Sequence, residues 1–507
     1  RGGFLATQDR IIDRLREDRE HVLIMTVEEG KSYPSVSRLN VYTGRLQLVQ
    51  SDRPPISSWV TDGSGVLRFA SGATDKRGVY LARRSAHDSG RTLAEFDILD
   101  RDHWSPHGFS ADPSKMIIEA DHNGRRALFE MDLEQPDRLQ LLYAHPNVDV
   151  GGLVYWPGTT RIVGVAYETD RLEIHFFDSQ AAAVQRAIDA ALPGRVNFWT
   201  GASRDASRML VVSYSDVQPP RYYVFEKDAA KLVAIGDFNA KLRNRTLAPM
   251  RAVKVPGPGG VEIPGYLTVP VGRDAKNLPA VVMPHGGPYA RDSWGFDPWL
   301  QLVVNRGYAV LQLNYRGSTG YGKDWFEAGY RGWGTVMHDD ITAGARWLIA
   351  QGIADPQRLC IVGASYGGYA ALLGGVKEPD LYRCVVAIAP VTDLAILQKE
   401  AERGGRLLRR VVRDLTGTAD LAAQSPRRRA AEMRAPVLMV HGTHDVNVAV
   451  DHAEIMAREL KRAGKSVELI IVPKADHYFP QNPAFALTVY QATERFLAAN
   501  LGQKIAN

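Results

Sequence analysis

Only two cysteines, Cys360 and Cys384, stand in a chain of 507 residues. Two thiols cannot build a disulfide framework. Both fall in apolar strand-like runs, 358–362 and 382–386, and are expected as buried reduced thiols. Long apolar runs are missing too. None approaches the roughly 18 residues a spanning helix needs, and the longest, such as 384–390, are strand-length. No secretory leader pattern is present. The first residue is Arg1 rather than Met, so a leader already removed is one expectation. A charge imbalance is nearly absent: 62 Lys and Arg face 57 Asp and Glu, for a net +5. The basic residues are spread along the chain, which argues against a nucleic-acid surface. The densest clusters, 403–413 and 427–429, read as solvated helix faces. No phosphate-binding loop or metal-ligand cluster is visible, and His441 with His444 is too sparse for a zinc site. No cofactor and no metal are expected. What is there, 45% hydrophobic and 23% charged residues, fits an ordinary globular protein of more than one domain.

The chain changes character near residue 245. Before it, short strand signals alternate with polar turns. Asp62-Gly63-Ser64, Asp112-Pro113-Ser114 and Asp205-Ala206-Ser207 each precede an apolar strand, at 66–70, 116–120 and 209–213. Weaker copies are Pro157-Gly158-Thr159 before 162–166 and Asp18-Arg19-Glu20 before 21–26. A period of about 40–50 residues with several strands per unit is that of a β-propeller blade. Asp closes such a turn through its own backbone, and small residues permit the reversal. About five blades therefore fit residues 1–245. Pro249, Pro256 and Pro258 punctuate a linker, and 240–255 reads as a hinge. In 246–507 strands alternate with helices: strands at 280–283, 309–313, 359–362, 385–388, 437–440 and 467–472, helices at 341–349, 365–374 and 451–462. That pattern means a mostly parallel, doubly wound sheet, with chemistry on loops past the carboxyl ends of its strands.

The first such loop is Gly363-Ala364-Ser365-Tyr366-Gly367. A bare G-x-S-x-G is weak evidence, and the chain has 46 glycines. Here it stands between a strand and a small-residue helix, which is the nucleophile elbow of an α/β-hydrolase. Side chains at 363 and 367 would collide with neighbouring elements. A serine hydroxyl needs a base to take its proton, and in this fold the order is Ser, acid, His. His477, just past the strand 467–472, is the candidate base. His452 falls in a predicted helix and is expected to face solvent. Asp445, just past the strand 437–440, is the candidate acid. Its competitor Asp393 has a plainer reading as the N-cap of a helix at 394–402. The amide of Tyr366 and that of Gly287, with Gly286 second, are the candidate oxyanion donors. Gly287 lies in His285-Gly286-Gly287-Pro288, past the strand 280–283.

His285-Gly286-Gly287-Pro288, Asn314-Tyr315-Arg316-Gly317-Ser318, the segment 363–369, Ser425-Pro426, His441-Gly442 with Asp445 and Val448, and Asp476-His477 occur in that order. Together they resemble the prolyl oligopeptidase family of serine peptidases. The HGGP loop and the short spacings are similar to its acylaminoacyl-peptidase branch. The resemblance is strong over about 250–500 and architectural over 1–245. It implies a propeller capping the catalytic domain, no cofactor, and hydrolysis of short peptides or of peptides with blocked N-termini. It further implies that Val448 borders the pocket for the residue before the scissile bond. Arg316 lies in a family motif without an assigned role. Family propellers have more blades than fit here, so about two N-terminal blades are expected to be missing. A dipeptidyl peptidase needs propeller acids to hold a free amine. Glu28-Glu29 is the acidic pair that could do so, and its plainer reading is a strand-end turn. The competing readings are a carboxylesterase on the same triad and an inactive propeller scaffold. Short peptides are the expected partners, with no nucleic acid and no membrane span. Self-association, and the choice between a cytoplasmic and a periplasmic or secreted location, are left open.

Overall fold

The computed structural model describes residues 10–502 except 101 and 204. Residues 1–9, the head of the expected propeller and with it Arg1, lie outside the described residues. Five antiparallel sheets follow one another, each built from strands consecutive in sequence. Four have four strands and the fourth sheet has three. They run from Arg10–Asp13 to Leu46–Gln50, from Ile56–Thr61 to Arg91–Asp97, from Ser105–Phe109 to Gln135–Tyr143, from Val150–Tyr155 to Leu172–Phe176, and from Val196–Ala202 to Lys231–Asp237. These are the blades of a β-propeller.

All five repeat copies fall at one place, the turn between the first and second strand of each blade. The mechanism recurs at full strength three times. One carboxylate oxygen accepts from the serine two residues on, through its amide and its hydroxyl. The distances are 2.9 and 2.7 Å for Asp62–Ser64, 2.9 and 2.7 Å for Asp112–Ser114, and 3.1 and 2.8 Å for Asp205–Ser207. Asp18 takes the Glu20 amide at 3.0 Å but no hydroxyl, and its carboxylate also meets His21 at 3.0 Å and Arg38. In the fourth blade Thr159 donates its hydroxyl to the Trp156 carbonyl instead, at 2.9 Å. Hydrogen bonds from Ser203 and Ser207 hold the Asp205 carboxyl down to about 2.

An eight-stranded sheet follows. Its strands are β1 (Met250–Pro256), β2 (Glu262–Thr268), β3 (Leu278–Val282), β4 (Ala309–Leu313), β5 (Ala354–Ala364), β6 (Cys384–Ile388), β7 (Val437–Gly442) and β8 (Val467–Val472). The order across it is β1-β2-β4-β3-β5-β6-β7-β8. β1, β2 and β4 pair antiparallel, and the rest pair parallel. The helices used below are α1 (Pro298–Asn305), α2 (Val336–Ala350), α3 (Tyr366–Lys377), α4 (Leu394–Arg403), α5 (Arg406–Thr416), α6 (Asp451–Arg462) and α7 (Pro483–Leu501). Strand alternation feeds two cores. Ala280 and Val282 face α2, α3 and α6, while Val281 faces α1 and α7. Among the described residues no helix is long and apolar enough to cross a membrane.

Two expectations fail here. Cys360 and Cys384 are not free thiols but a disulfide. Each was placed in its own strand. β5 and β6 are parallel neighbours in which these two residues are register partners on one face, with Cα atoms 4.7 Å apart. The segment read as a hinge, 240–255, instead ends in the edge strand β1, with Pro249 ahead of it and Pro256 closing it.

The chain forms two compact units. One holds residues up to Tyr167, Ile174–Asp178 and Glu400–Val411. The other holds Glu168–Glu173, Ser179–Lys399 and the residues from Val412 on, and so includes the fifth blade and the eight-stranded sheet. In the first unit, Arg410 grips both carboxylate oxygens of Asp97 at 2.8 and 2.9 Å, and Arg406 lies 3.6 Å from Asp75. The 403–413 cluster is therefore partly paired, not simply solvated.

Candidate active site

β5 ends at Ala364 and α3 begins at Tyr366, leaving Ser365 alone at the corner with φ 58° and ψ −120°. A non-glycine residue rarely adopts a positive φ, and holding one there costs about 1–3 kcal/mol. The corner is this sharp because backbones touch. A Cβ on Gly363 would lie 2.3 Å from the Gly367 carbonyl oxygen, and one on Gly367 would lie 2.2 Å from that of Pro284. The glycines at 363 and 367 are thus explained by the collisions expected from the sequence.

Ser365, His477 and Asp445 come together past the carboxyl ends of β5, β8 and β7. His477 Nε2 is 3.0 Å from Ser365 Oγ, and His477 Nδ1 is 2.7 Å from Asp445 Oδ2. An ionised carboxylate only accepts, so the proton of the neutral ring sits on Nδ1 and Nε2 is left to accept from the serine hydroxyl. Burial pushes the Asp445 carboxyl up, but donors outweigh it and hold it well below the usual carboxylate range: His441, His477 and the Val448 amide. Oδ1 takes the amides of Asn447 and Val448, both at 2.9 Å. His441 is fully buried, with Nε2 at 2.9 Å from the Val448 carbonyl and 3.3 Å from Asp445 Oδ2. Both neighbours are acceptors, so Nε2 carries a proton. The sequence offered His441 only as part of a motif; its position four residues before Asp445, beyond a strand end, was the available signal.

Asp393 stands elsewhere. Its Oδ1 caps α4 through the amides of Ala395 and Ile396, at 2.9 and 3.2 Å. Its Oδ2 accepts from Arg427 and Arg428 at 2.8 and 3.0 Å. His452 does not face solvent. It is fully buried, with Nδ1 3.1 Å from the Thr392 amide, because the first turn of α6 packs on the loop after β6. Val448 is buried, its side chain in the core and its backbone tied to Asp445 and His441.

Tyr366 opens α3, where a backbone N–H has no acceptor within the helix. Gly286 packs on Ser365: a Cβ there would be 3.6 Å from Ser365 Cβ. Gly287 has φ 115°, and a Cβ on it would strike the Tyr289 amide at 2.8 Å. The motif 314–318 explains how this loop is held. Tyr315 donates its hydroxyl to the His285 carbonyl at 2.8 Å, and Ser318 Oγ is 2.9 Å from His285 Nε2. Asn314 brackets Asp292, accepting from its amide at 2.7 Å and donating to its carbonyl at 3.0 Å. Arg316 forms a two-pronged pair with the buried Asp340, at 2.9 and 2.6 Å.

Residues 294–504 match the prolyl oligopeptidase family. The match spans less than half of the chain, and with the relatives below it indicates a serine peptidase similar to that family. Among curated proteins it is 29% identical to dipeptidyl aminopeptidase BIII of Pseudoxanthomonas mexicana over 501 residues, 95% of this chain and 72% of that one. It is 29% identical to the human acylamino-acid-releasing enzyme over 216 residues, 40% of this chain and 29% of the relative. Among solved structures, a puromycin-hydrolyzing peptidase of Mycobacterium tuberculosis superposes with a TM-score of 0.75 at 19% identity, covering 98% of this chain and 79% of the other. The peptidase fold is therefore shared well beyond the matched segment.

The close backbone contacts at the elbow are directly testable. Gly367→Ala should lower stability to urea by about 1–3 kcal/mol through overpacking and sharply slow labelling of the protein by a fluorophosphonate. Gly201→Ala, where a Cβ meets nothing within 4 Å, should do neither. Equal behaviour of the two variants would contradict this account of the corner.

Proposed function

We propose that the protein hydrolyses short peptides through an acyl-enzyme on Ser365. His477 takes the serine proton at Nε2 and returns it to the leaving amine. Asp445 fixes the tautomer and stabilises the imidazolium. The amides of Tyr366 and Gly287 receive the oxyanion, and Val448 borders the pocket for the residue before the scissile bond. The supporting observation is the continuous path Asp445 Oδ2, His477 Nδ1, His477 Nε2, Ser365 Oγ, with steps of 2.7 and 3.0 Å.

Ser365→Ala and His477→Ala should reduce turnover by similar factors, on the order of 10⁴–10⁶, because such groups act as a unit. Asp445→Asn should lose as much or less, while Asp393→Asn, which alters a helix cap, should stay within a few-fold of the parent. A larger loss at Asp393 than at Asp445 would reassign the acid. The depressed Asp445 carboxyl stays ionised wherever an imidazole titrates, so it carries no proton on the acid limb. Log kcat/KM should therefore fall with a slope of one on that limb; a slope of two would mean that Asp445 takes up a proton there too.

A second reading, release of N-terminal dipeptides, has a specific observation in its favour. The relative named as a dipeptidyl aminopeptidase aligns along 95% of this chain, the acylamino-acid-releasing enzyme along 40%. Glu28 and Glu29 are exposed in a turn after the strand His21–Thr26 and are free to meet a substrate ammonium. Under this reading a dipeptide p-nitroanilide with a free amine should be cleaved far faster than its N-acetylated form, and Glu28→Gln or Glu29→Gln should raise KM. Preference for the acetylated form would select the acylaminoacyl reading.

The family resemblance implies exclusion of large substrates. In a length series of one repeated cleavable peptide, rates should fall beyond a few tens of residues, as expected of a gated site, and reduced casein should be cleaved poorly. Comparable rates on casein and on a pentapeptide would remove size selection from the proposal.

A further inference from the structure

We infer that Arg291 is a positioning residue for the oxyanion site, acting by tying the loop that carries Gly287 to the turn Glu168–Glu173. This rests on the assignment of Gly287 as an oxyanion donor. The loop runs from His285 to Trp294, and two sets of bonds hold it on the segment after β4. His285 is fixed by Tyr315 and Ser318. Ala290 and Asp292 are fixed by the Thr319 amide, at 2.9 Å, and by the Asn314 side chain. Between these anchors lies Gly287, with φ 115°, followed by a turn in which the Ala290 amide donates to the Pro288 carbonyl at 2.9 Å.

Arg291 supplies a third anchor, reaching out of the loop in another direction. Its side chain is 11% exposed and lies 4.7 Å over the Tyr321 ring. Nη2 donates to the Tyr321 hydroxyl at 2.9 Å, and that hydroxyl accepts from Asn314 at 2.7 Å. The same guanidinium donates to the carbonyls of Glu168 and Thr169, both at 3.3 Å, with the Glu168 carboxylate at 3.6 Å. Gly320 makes room for it, since a Cβ there would be 2.6 Å from Nη1. The residues around Arg291 repeat the pattern. Ser293 donates to the Glu168 carboxylate at 3.0 Å, Arg171 stacks on Trp294 at 3.9 Å, and Tyr266 donates to the Asp170 carbonyl at 3.0 Å. Three residues of the turn, Glu168, Thr169 and Arg171, thus bind the loop that carries Gly287, and Asp170 binds the neighbouring strand β2.

The physical consequence concerns geometry, not charge at the reacting atoms. A preorganised donor acts only if it is held within about half an ångström of the position the oxyanion will occupy. Only a planar five-donor fork satisfies two carbonyls, a carboxylate and a hydroxyl at once, which a lysine ammonium cannot reproduce. Loosening Arg291 should therefore weaken the transition state more than substrate binding.

The test measures kcat and KM on a peptide p-nitroanilide for Arg291→Ala, Arg291→Lys and Tyr321→Phe. It adds affinity for a peptidyl trifluoromethyl ketone, which forms a tetrahedral oxyanion on the serine, and for the matching unreactive peptidyl alcohol. The expected result for Arg291→Ala is a kcat loss of about 10–100-fold with KM within about threefold. Ketone affinity should fall in parallel and alcohol affinity should not change. Arg291→Lys should recover little, and Tyr321→Phe should show a smaller loss with the same signature. If Arg291→Ala does not fold, the other two variants carry the test. Unchanged kcat, or equal losses on ketone and alcohol, would overturn the inference. Ser365→Ala is the control for the underlying reading: full turnover in that variant would sink the site assignment itself, whatever Arg291 does.

Discussion

Backbone-to-backbone contact at Gly363, Gly367 and Pro284 is the constraint on which the rest of the peptidase domain depends. It brings the end of β5, the start of α3 and the HGGP loop within van der Waals distance of one another. No side chain fits between them, so the chain must turn within one residue, and Ser365 takes the strained conformation. The strain, about 1–3 kcal/mol, is offset by what the turn permits. α3 is buried almost throughout, with Tyr366, Tyr369, Leu372, Leu373 and Val376 in the core. Each such side chain contributes on the order of 1.5–3 kcal/mol. The helix therefore holds Ser365 in its strained conformation.

Electrostatics at the site follow from the same crowding. Asp445 loses its hydration, which alone would favour the neutral acid. Two imidazoles and two amides replace the lost water. Buried charge is stable only when its acceptor sites are filled this way. His441 matters for this reason: it occupies the far side of the oxygen that His477 uses, and its own proton is fixed by the Val448 carbonyl. Removing His441 would leave Asp445 short of a donor without touching Ser365 or His477.

Much of this was legible because it is local. The glycine-flanked turn at Ser365, the strand-end positions of Asp445 and His477, and the cap at Asp393 are each specified within a few residues. So are the blade turns, where one Asp and one Ser suffice. What escaped the sequence is what depends on register or on distant partners. The two cysteines looked like separate core thiols until β5 and β6 were set side by side. His452 looked exposed because a helical wheel does not reveal the loop packed against its first turn. β1 was taken for part of a hinge because Pro249 and Pro256 bound it, although Pro at a strand end is compatible with an edge strand. Asn314 and Arg316 were visible as a motif, but their partners Asp292 and Asp340 lie 22 and 24 residues on or back, out of reach of any local pattern.

The division into compact units carries this argument one step further. By sheet membership Glu168–Glu173 belongs to the fourth blade, yet it groups with the peptidase core. The segment is held there by bonds from Arg291, Ser293 and Tyr266, most of which end on backbone atoms, and by the stack of Arg171 on Trp294. By chain position Glu400–Val411 belongs with α4 and α5, yet it groups with the blades, through Arg406 and Arg410. Those pairs are exposed, and exposed ion pairs contribute little and are screened by salt. The two exchanged segments are thus held by different physics. The one beside the loop that carries Gly287 is fixed by directional hydrogen bonds that resist screening. The one from the α4–α5 region is fixed by charges that do not. A site whose geometry must be exact to a fraction of an ångström is served by the first kind of attachment and would be poorly served by the second.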